Sequence, residues 1–251
     1  MEVAFWRALI SWGFFGCQAI VLKEFHVVRN DIPLLFVFGL LGISLFYISY
    51  QYAVKTGGAA FASVLLYTAP AWVVTCSVFI YKEKLTANKI MAVLLVITGV
   101  FLISKTGGSS NSTTAIGFMT ILCGLMSGFC YSLYYTIGKY FSSRYSSANL
   151  FLYVLPIGAL GIYPFVEFTH KSHIAWLFLI AVSMVSTFIG NHCYYLGLKH
   201  IEAGKASIVA TIEPVVAAVA AYIILGEYFS FLGYFGAVMI MSAVILTIYK
   251  T

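Results

Sequence analysis

Apolar runs of about twenty residues recur from one end of this chain to the other, and each is long enough to cross roughly 30 Å of hydrocarbon. That pattern removes most folds. Lipid offers no partner for backbone N–H and C=O groups, so a spanning segment must be a helix or part of a closed barrel. The runs are longer than the short alternating strands of a barrel, which leaves helices. With 62% hydrophobic and 9% charged residues, no polar stretch is large enough for a separate soluble domain. The chain therefore reads as an all-α membrane protein. Nine spans are expected, near 4–22, 32–54, 60–81, 87–104, 115–138, 148–168, 173–198, 205–225 and 229–249.

Two of these spans match each other. AFASVLLYTAPAWVVTCSVFIYKE at 60–83 and GKASIVATIEPVVAAVAAYIILGE at 204–227 align without gaps at an offset of 144, which pairs Pro70 with Pro214, Ser63 with Ser207 and Glu83 with Glu227. The offset continues backwards to Lys55 and Lys199. A gapless series over about fifty residues reads as an internal repeat. The expected domains are a first repeat at 1–104, a linker at 105–114 and a second repeat at 115–251. The second copy has five spans and the first only four, because the counterpart of 115–138 falls before residue 1. An odd-numbered repeat places its two copies inverted in the membrane. The expectation is a five-helix repeat whose first copy lacks its first helix, through a late assigned start, truncation or a natural nine-helix form.

Charge supplies an orientation. Lys23, Arg29, Lys82, Lys84, Lys89, Lys139, Arg144, Lys199, Lys205 and Lys250 fall on one side, against Lys55, Lys105 and Lys171 on the other. The first set is expected in the cytoplasm, with the C-terminus, in a multi-pass protein of the cytoplasmic membrane. The net charge of +6 is then topogenic, and no nucleic-acid partner is expected. Residues 1–22 lack a signal peptide's basic start and cleavage site and read as a mature span. The five cysteines lie inside apolar runs at irregular spacing and read as packing residues. No GxxxxGK[ST] loop, HExxH or paired Asp is present, Asp31 being the only Asp, so no cofactor, metal or catalytic residue is expected. The Gly/Ser/Thr-rich linker contains Asn111-Ser112-Thr113, formally a glycosylation acceptor. A homodimer is left open, since exposed apolar surface is the norm in lipid.

AAFASVLLYTAPAWVVTCSVFIYKEKLT and AGKASIVATIEPVVAAVAAYIILGEYFS, each an AxASxxxxxxP stretch followed by a half-helix, Glu and Ser or Thr, resemble the EamA-type transporters of the drug/metabolite transporter superfamily. The resemblance covers nearly the whole chain. It implies ten helices in two inverted repeats, and export of amino acids or other small metabolites through a central cavity, often by proton exchange. The chain departs from that pattern in its first helix. Independently, inverted repeats with interrupted helices are the layout of secondary transporters. The alternative is a non-transporting membrane subunit on the same fold.

Within the spans, the polar groups are the candidates for binding a small-molecule substrate. Glu213 lies beside a proline, and an intramembrane carboxylate is costly enough to be a functional candidate. Proton coupling, binding of a substrate amine and bracing of the kink are all open to it. Its counterpart in the first copy is Ala69. His192 is a second proton-coupling candidate, against the alternative of a satisfied packing histidine. Asn191, Tyr194 and Tyr195, with Tyr47, Tyr50 and Gln51 at corresponding positions, are expected to line one cavity, the alternative being aromatic packing. Arg7 is expected either to clamp a substrate carboxylate or to snorkel to headgroups. Tyr67, Thr68 and Trp72 flank Pro70, where the helix is expected to loosen, as at Pro214. Gly124 and Gly128 have small-xxx-small spacing for close helix approach.

Overall fold

The computed structural model describes residues 1–106, 117–216, 219, 223 and 231–249, and among these every regular element is helical. Six helices are long and apolar enough to cross a membrane: Glu2–Leu22, Arg29–Ala59, Phe61–Tyr81, Phe118–Ser142, Ser147–Phe165 and His173–Leu198. Ala87–Leu102 and Phe231–Thr247 are shorter apolar helices. These eight fall on eight of the nine expected spans. Most of the span at 205–225, Glu227, and the linker with Asn111 lie outside the described residues.

The helix ends follow local chemistry. Ser146 accepts the Asn149 N–H (3.2 Å) and Ser172 accepts the Ala175 N–H (3.3 Å), each satisfying a donor that the first turn leaves open. Lys23 and Lys82 close their helices in the left-handed conformation (φ 56° and 54°) and set a cation at each negative helix end. Gly58, at φ 83° and ψ 158°, turns the chain between two spans without any loop, a backbone state that only glycine adopts freely.

The described residues divide into two compact units, Met1–Ile48 with Thr136–Ile201 and Ser49–Tyr135 with Glu202–Thr251. Each unit draws on both expected repeats, so the sequence halves 1–104 and 115–251 do not coincide with the compact units. Lipid tails are as apolar as the helices, so packing shape and hydrogen bonds decide which helices associate.

In the first unit, α1 (Glu2–Leu22) packs on α7 (Ser147–Ile162) and on a π-helical stretch, Ser183–Ile189, lying between α8 (His173–Val182) and α9 (Gly190–Leu198). Likewise α7 packs on a second π-helical stretch, Phe38–Leu45, which separates α2 (Ile32–Val37) from α3 (Phe46–Leu66). Phe15, Phe38, Phe141 and Phe151 form its fully buried aromatic core. Pro156 interrupts the hydrogen-bond ladder of α7 and frees the carbonyl of Leu152. The Trp12 indole N–H donates to that carbonyl at 2.9 Å, so the proline leaves it partnered.

In the second unit, α5 (Ala87–Thr106) lies along α11 (Phe231–Tyr249), and Val96, Val100, Ile208 and Ile240 form one core with α4 (Ala69–Tyr81) and α10 (Ala203–Ala210). A Cβ on Gly99 would come within 2.7 Å of the Gly236 carbonyl, so these two backbones are in contact. Buried Lys89 bridges Glu83 (3.0 Å) and Glu202 (2.9 Å), and Glu83 also accepts the Ala203 N–H at the start of α10 (3.2 Å).

Candidate functional site

Two interrupted helices meet in the second unit. The first interruption is the turn Tyr67–Thr68 between α3 and α4, and the second is Thr211–Ile212 after α10, with helical backbone resuming at Glu213–Val216. The two turns are again 144 residues apart, and their hydrogen bonds correspond. Thr68 O accepts from Ala71 (3.0 Å) and Trp72 (3.4 Å), and Ile212 O accepts from Val215 and Val216 (both 3.0 Å). Each turn lies before its proline, because proline disfavours helical backbone in the residue ahead of it and suits the first turn of the next helix. Glu213 is thus at a helix start, where the unsatisfied N–H groups favour an acid.

The Tyr67 phenol lies beside the Glu213 carboxylate, which brings the two interruptions together. Tyr50 and Tyr131 lie near enough to act on Tyr67 electrostatically. Trp72, just past Pro70, is 38% exposed and meets the Phe129 ring edge-on at 5.6 Å. Gln51 is exposed on α3. The first turn is seated on α6 (Phe118–Ser142) through the expected glycines: a Cβ at Gly128 would lie 2.7 Å from both Leu65 O and Thr68 Oγ. Gly124 faces the Leu65 side chain. The close approach read from the glycine spacing thus serves one particular seat, that of the interrupted helix.

The remaining candidates belong to the first unit. Arg7 donates from Nη2 to Ser186 Oγ (3.1 Å) and Thr187 Oγ1 (3.0 Å), and from Nε to Thr187 Oγ1 (3.3 Å). His192 shares a 2.6 Å hydrogen bond with Ser147 Oγ at the start of α7 and stacks on Phe188 at 6.5 Å. That is the environment of a partnered histidine. Tyr195, expected on a cavity wall, is 1% exposed and packs edge-on against Phe151 at 5.0 Å. Its ring lies against Gly138. Asn191, Tyr194 and Tyr47 are half-buried. Tyr47 falls in the first unit and its expected companions Tyr50 and Gln51 in the second.

Ser186, Thr187 and Ser147 escaped the sequence reading. The hydroxyl-rich run Ser183-Met184-Val185-Ser186-Thr187, polar in the middle of an apolar span, was the available signal. Asp31 was seen only as a lone acid, yet it is buried and accepts from Tyr145 (2.7 Å), Tyr140 (3.2 Å) and Arg144 (3.3 Å).

The EamA-like transporter family model matches residues 1–105 and 118–249. The chain belongs to this family. Among similar proteins is an uncharacterized transporter of Archaeoglobus fulgidus, 27% identical over 249 residues, covering 98% of this chain and 86% of that protein. The uncharacterized transporter YetK of Bacillus subtilis is 24% identical over 89% of this chain and 70% of its own length. The uncharacterized inner membrane transporter YicL of Salmonella typhimurium is 24% identical, covering 89% of this chain and 76% of that protein. A solved crystal structure at 17% identity has a TM-score of 0.82 and covers 98% of this chain and 86% of the other, which shows a common fold. The EamA-like chain is thus a multi-pass membrane transporter rather than an enzyme.

Proposed function

We propose that this EamA-like protein is a secondary transporter that exports a small polar metabolite, amino acids foremost, across the cytoplasmic membrane in exchange for protons. The observation that carries this is the pair of matched intramembrane helix interruptions, at Tyr67–Thr68 and Thr211–Ile212, with Glu213 and Tyr67 beside each other where they meet. Interrupted helices in matched positions are where secondary transporters bind substrate and coupling ions. Glu213 is exposed on its unit and lies beside the Tyr67 phenol, so the acid is reachable. Its counterpart Ala69 forms the same turn without an acid, so the backbone break alone does not account for Glu213. The cycle is alternating access, the site facing one side of the membrane at a time. The lysine and arginine bias supports a cytoplasmic C-terminus.

The test is flux of a labelled amino-acid pool in proteoliposomes under an imposed pH gradient, with Glu213→Gln beside the native chain. Glutamine keeps an acceptor beside Tyr67 and cannot carry a proton. Gradient-driven flux should fall by about a hundredfold, the low end of the range for a group transferring protons. Undiminished gradient-driven flux in the variant would remove the coupling role from Glu213.

A further inference from the structure

Arg7 reaches into its span rather than out of it. In α1 and the helix beginning at His173, contacts run in parallel register: Trp6 meets Trp176, Ser11 Oγ donates to Ser183 O, and Phe14 and Phe15 meet Phe188. Ser183 is thus level with Ser11, a turn beyond Arg7, and Ser186 and Thr187 lie further along again. Bonding to those two hydroxyls carries the guanidinium about a turn or more deeper than its own backbone, towards the middle of a helix roughly 31 Å long. A snorkelling arginine goes the other way. Among the described residues no carboxylate pairs with Arg7, and its Nη1 makes no hydrogen bond.

The two hydroxyls are unusual in turn. Elsewhere in the spans, Thr75, Ser183, Ser242 and Thr247 donate to a carbonyl four residues back in their own helix. Among the described residues Ser186 and Thr187 do not; their oxygens accept from Arg7, which leaves both O–H groups for another acceptor. They sit in the π-helical stretch Ser183–Ile189, a distortion frequent at functional sites. The fold itself does not require the charge. Shifted by 144, the other π-helical stretch, Phe38–Leu45, covers 182–189, and Arg7, Ser186 and Thr187 then correspond to Phe151, Gly42 and Ile43. There α7 packs on its π stretch through Ile157 beside Gly39 and Ile43 beside Gly158, and Phe151, Gly42 and Ile43 carry no polar side chain. Half-buried Arg7 and exposed Ser186 remain reachable from outside the unit.

We propose that Arg7, Ser186 and Thr187 form an oxyanion subsite that receives the carboxylate of the transported molecule. The guanidinium supplies charge and a free Nη1 edge, and the hydroxyls supply two further donors. This rests on the transporter function above and narrows its substrate to molecules bearing a carboxylate. A lipid phosphate has the same oxyanion chemistry but belongs to the headgroup layer, whereas the guanidinium points away from the end of its span.

Two readouts test the subsite. The first is thermal stabilisation of the purified full chain by the common L-amino acids, their carboxamides, acetate and inorganic phosphate, or by added phosphatidylglycerol. The second is amino-acid flux in proteoliposomes with and without phosphatidylglycerol. Carboxylates should stabilise the native chain and carboxamides should not. Arg7→Gln should weaken the effect by about tenfold or more, the loss of one charge-assisted contact, with Arg7→Lys restoring part of it. Ser186→Ala with Thr187→Val, which leaves Arg7 in place, should weaken carboxylate binding several-fold and guards against misfolding of the arginine variants. Equal response to carboxamides, stabilisation by phosphatidylglycerol alone, no response to any compound, or undiminished response in Arg7→Gln would each overturn the subsite. If carboxylate stabilisation depends on Arg7 while no pool member is transported, the subsite stands and export fails. If flux persists unchanged in Arg7→Gln, export stands and the subsite fails.

Discussion

Gly128→Ala is the sharpest test of the seat beneath the first helix interruption. An added methyl would lie 2.7 Å from Leu65 O, 2.7 Å from Thr68 Oγ and 3.2 Å from Leu66 O. Two of the three obstructing atoms are backbone, at a turn already fixed by Tyr67, Thr68 and Pro70, so α6 or the turn must retreat by several tenths of an ångström. Overpacking of this kind costs about 1–3 kcal/mol, against a gain of about 1 kcal/mol from replacing glycine inside a helix. The net expectation is a loss of up to about 2 kcal/mol. Gly13→Ala supplies the reference, since nothing lies within 4 Å of its Cβ position, and it should gain about 1 kcal/mol. The gap between the two variants is then about 1–3 kcal/mol, read as the difference in unfolding free energy in a detergent titration. Because the turn carries Tyr67, Gly128→Ala should also lower amino-acid flux in proteoliposomes while Gly13→Ala leaves it intact. Equal stability and equal flux for the two variants would refute the claim that α6 holds this turn in place.

Two further outcomes are expected. Lys89→Gln leaves buried Glu83 beside half-exposed Glu202 without their shared cation; breaking such a partly exposed pair should cost about 3 kcal/mol of unfolding free energy, and Glu83→Gln in the same chain should recover part of it. Burial, and then the hydrogen bond to Asp31, pushes the Tyr145 phenol above its ordinary range. A raised value means that the folded state holds this proton more tightly, so the contribution is complete below about pH 10 and is lost as pH rises through the folded-state value. Thermal midpoints measured across that range should fall more steeply at alkaline pH for the native chain than for Tyr145→Phe.

The spans were legible because length and apolarity alone identify a helix in lipid, and the interruptions because proline leaves few choices. The turns at Tyr67–Thr68 and Thr211–Ile212 fell within a turn of the prolines that announced them. The π-helical stretches were not legible: a shift from four-residue to five-residue hydrogen bonds carries no side-chain signature. Nor was the fate of individual rings, for Tyr194 and Tyr195 look alike in sequence while only Tyr195 is sealed against Phe151. Arg7 shows the same limit, since the direction of a long side chain depends on hydroxyls far along the chain. The division into units was hidden for a related reason, because α1 and α7 each pack on a helix from the other half of the sequence.

That separation has a consequence in time. Arg7 and Thr187 stand 180 residues apart. At about 5–20 residues per second of synthesis, roughly 10 to 35 s pass between the appearance of the arginine and that of the hydroxyls that hold it. Through that interval α1 is a hydrophobic helix with a bare cation in its first third. The nascent chain therefore depends on the insertion machinery, or on water at the membrane edge, to shelter Arg7 until the first unit can close around it.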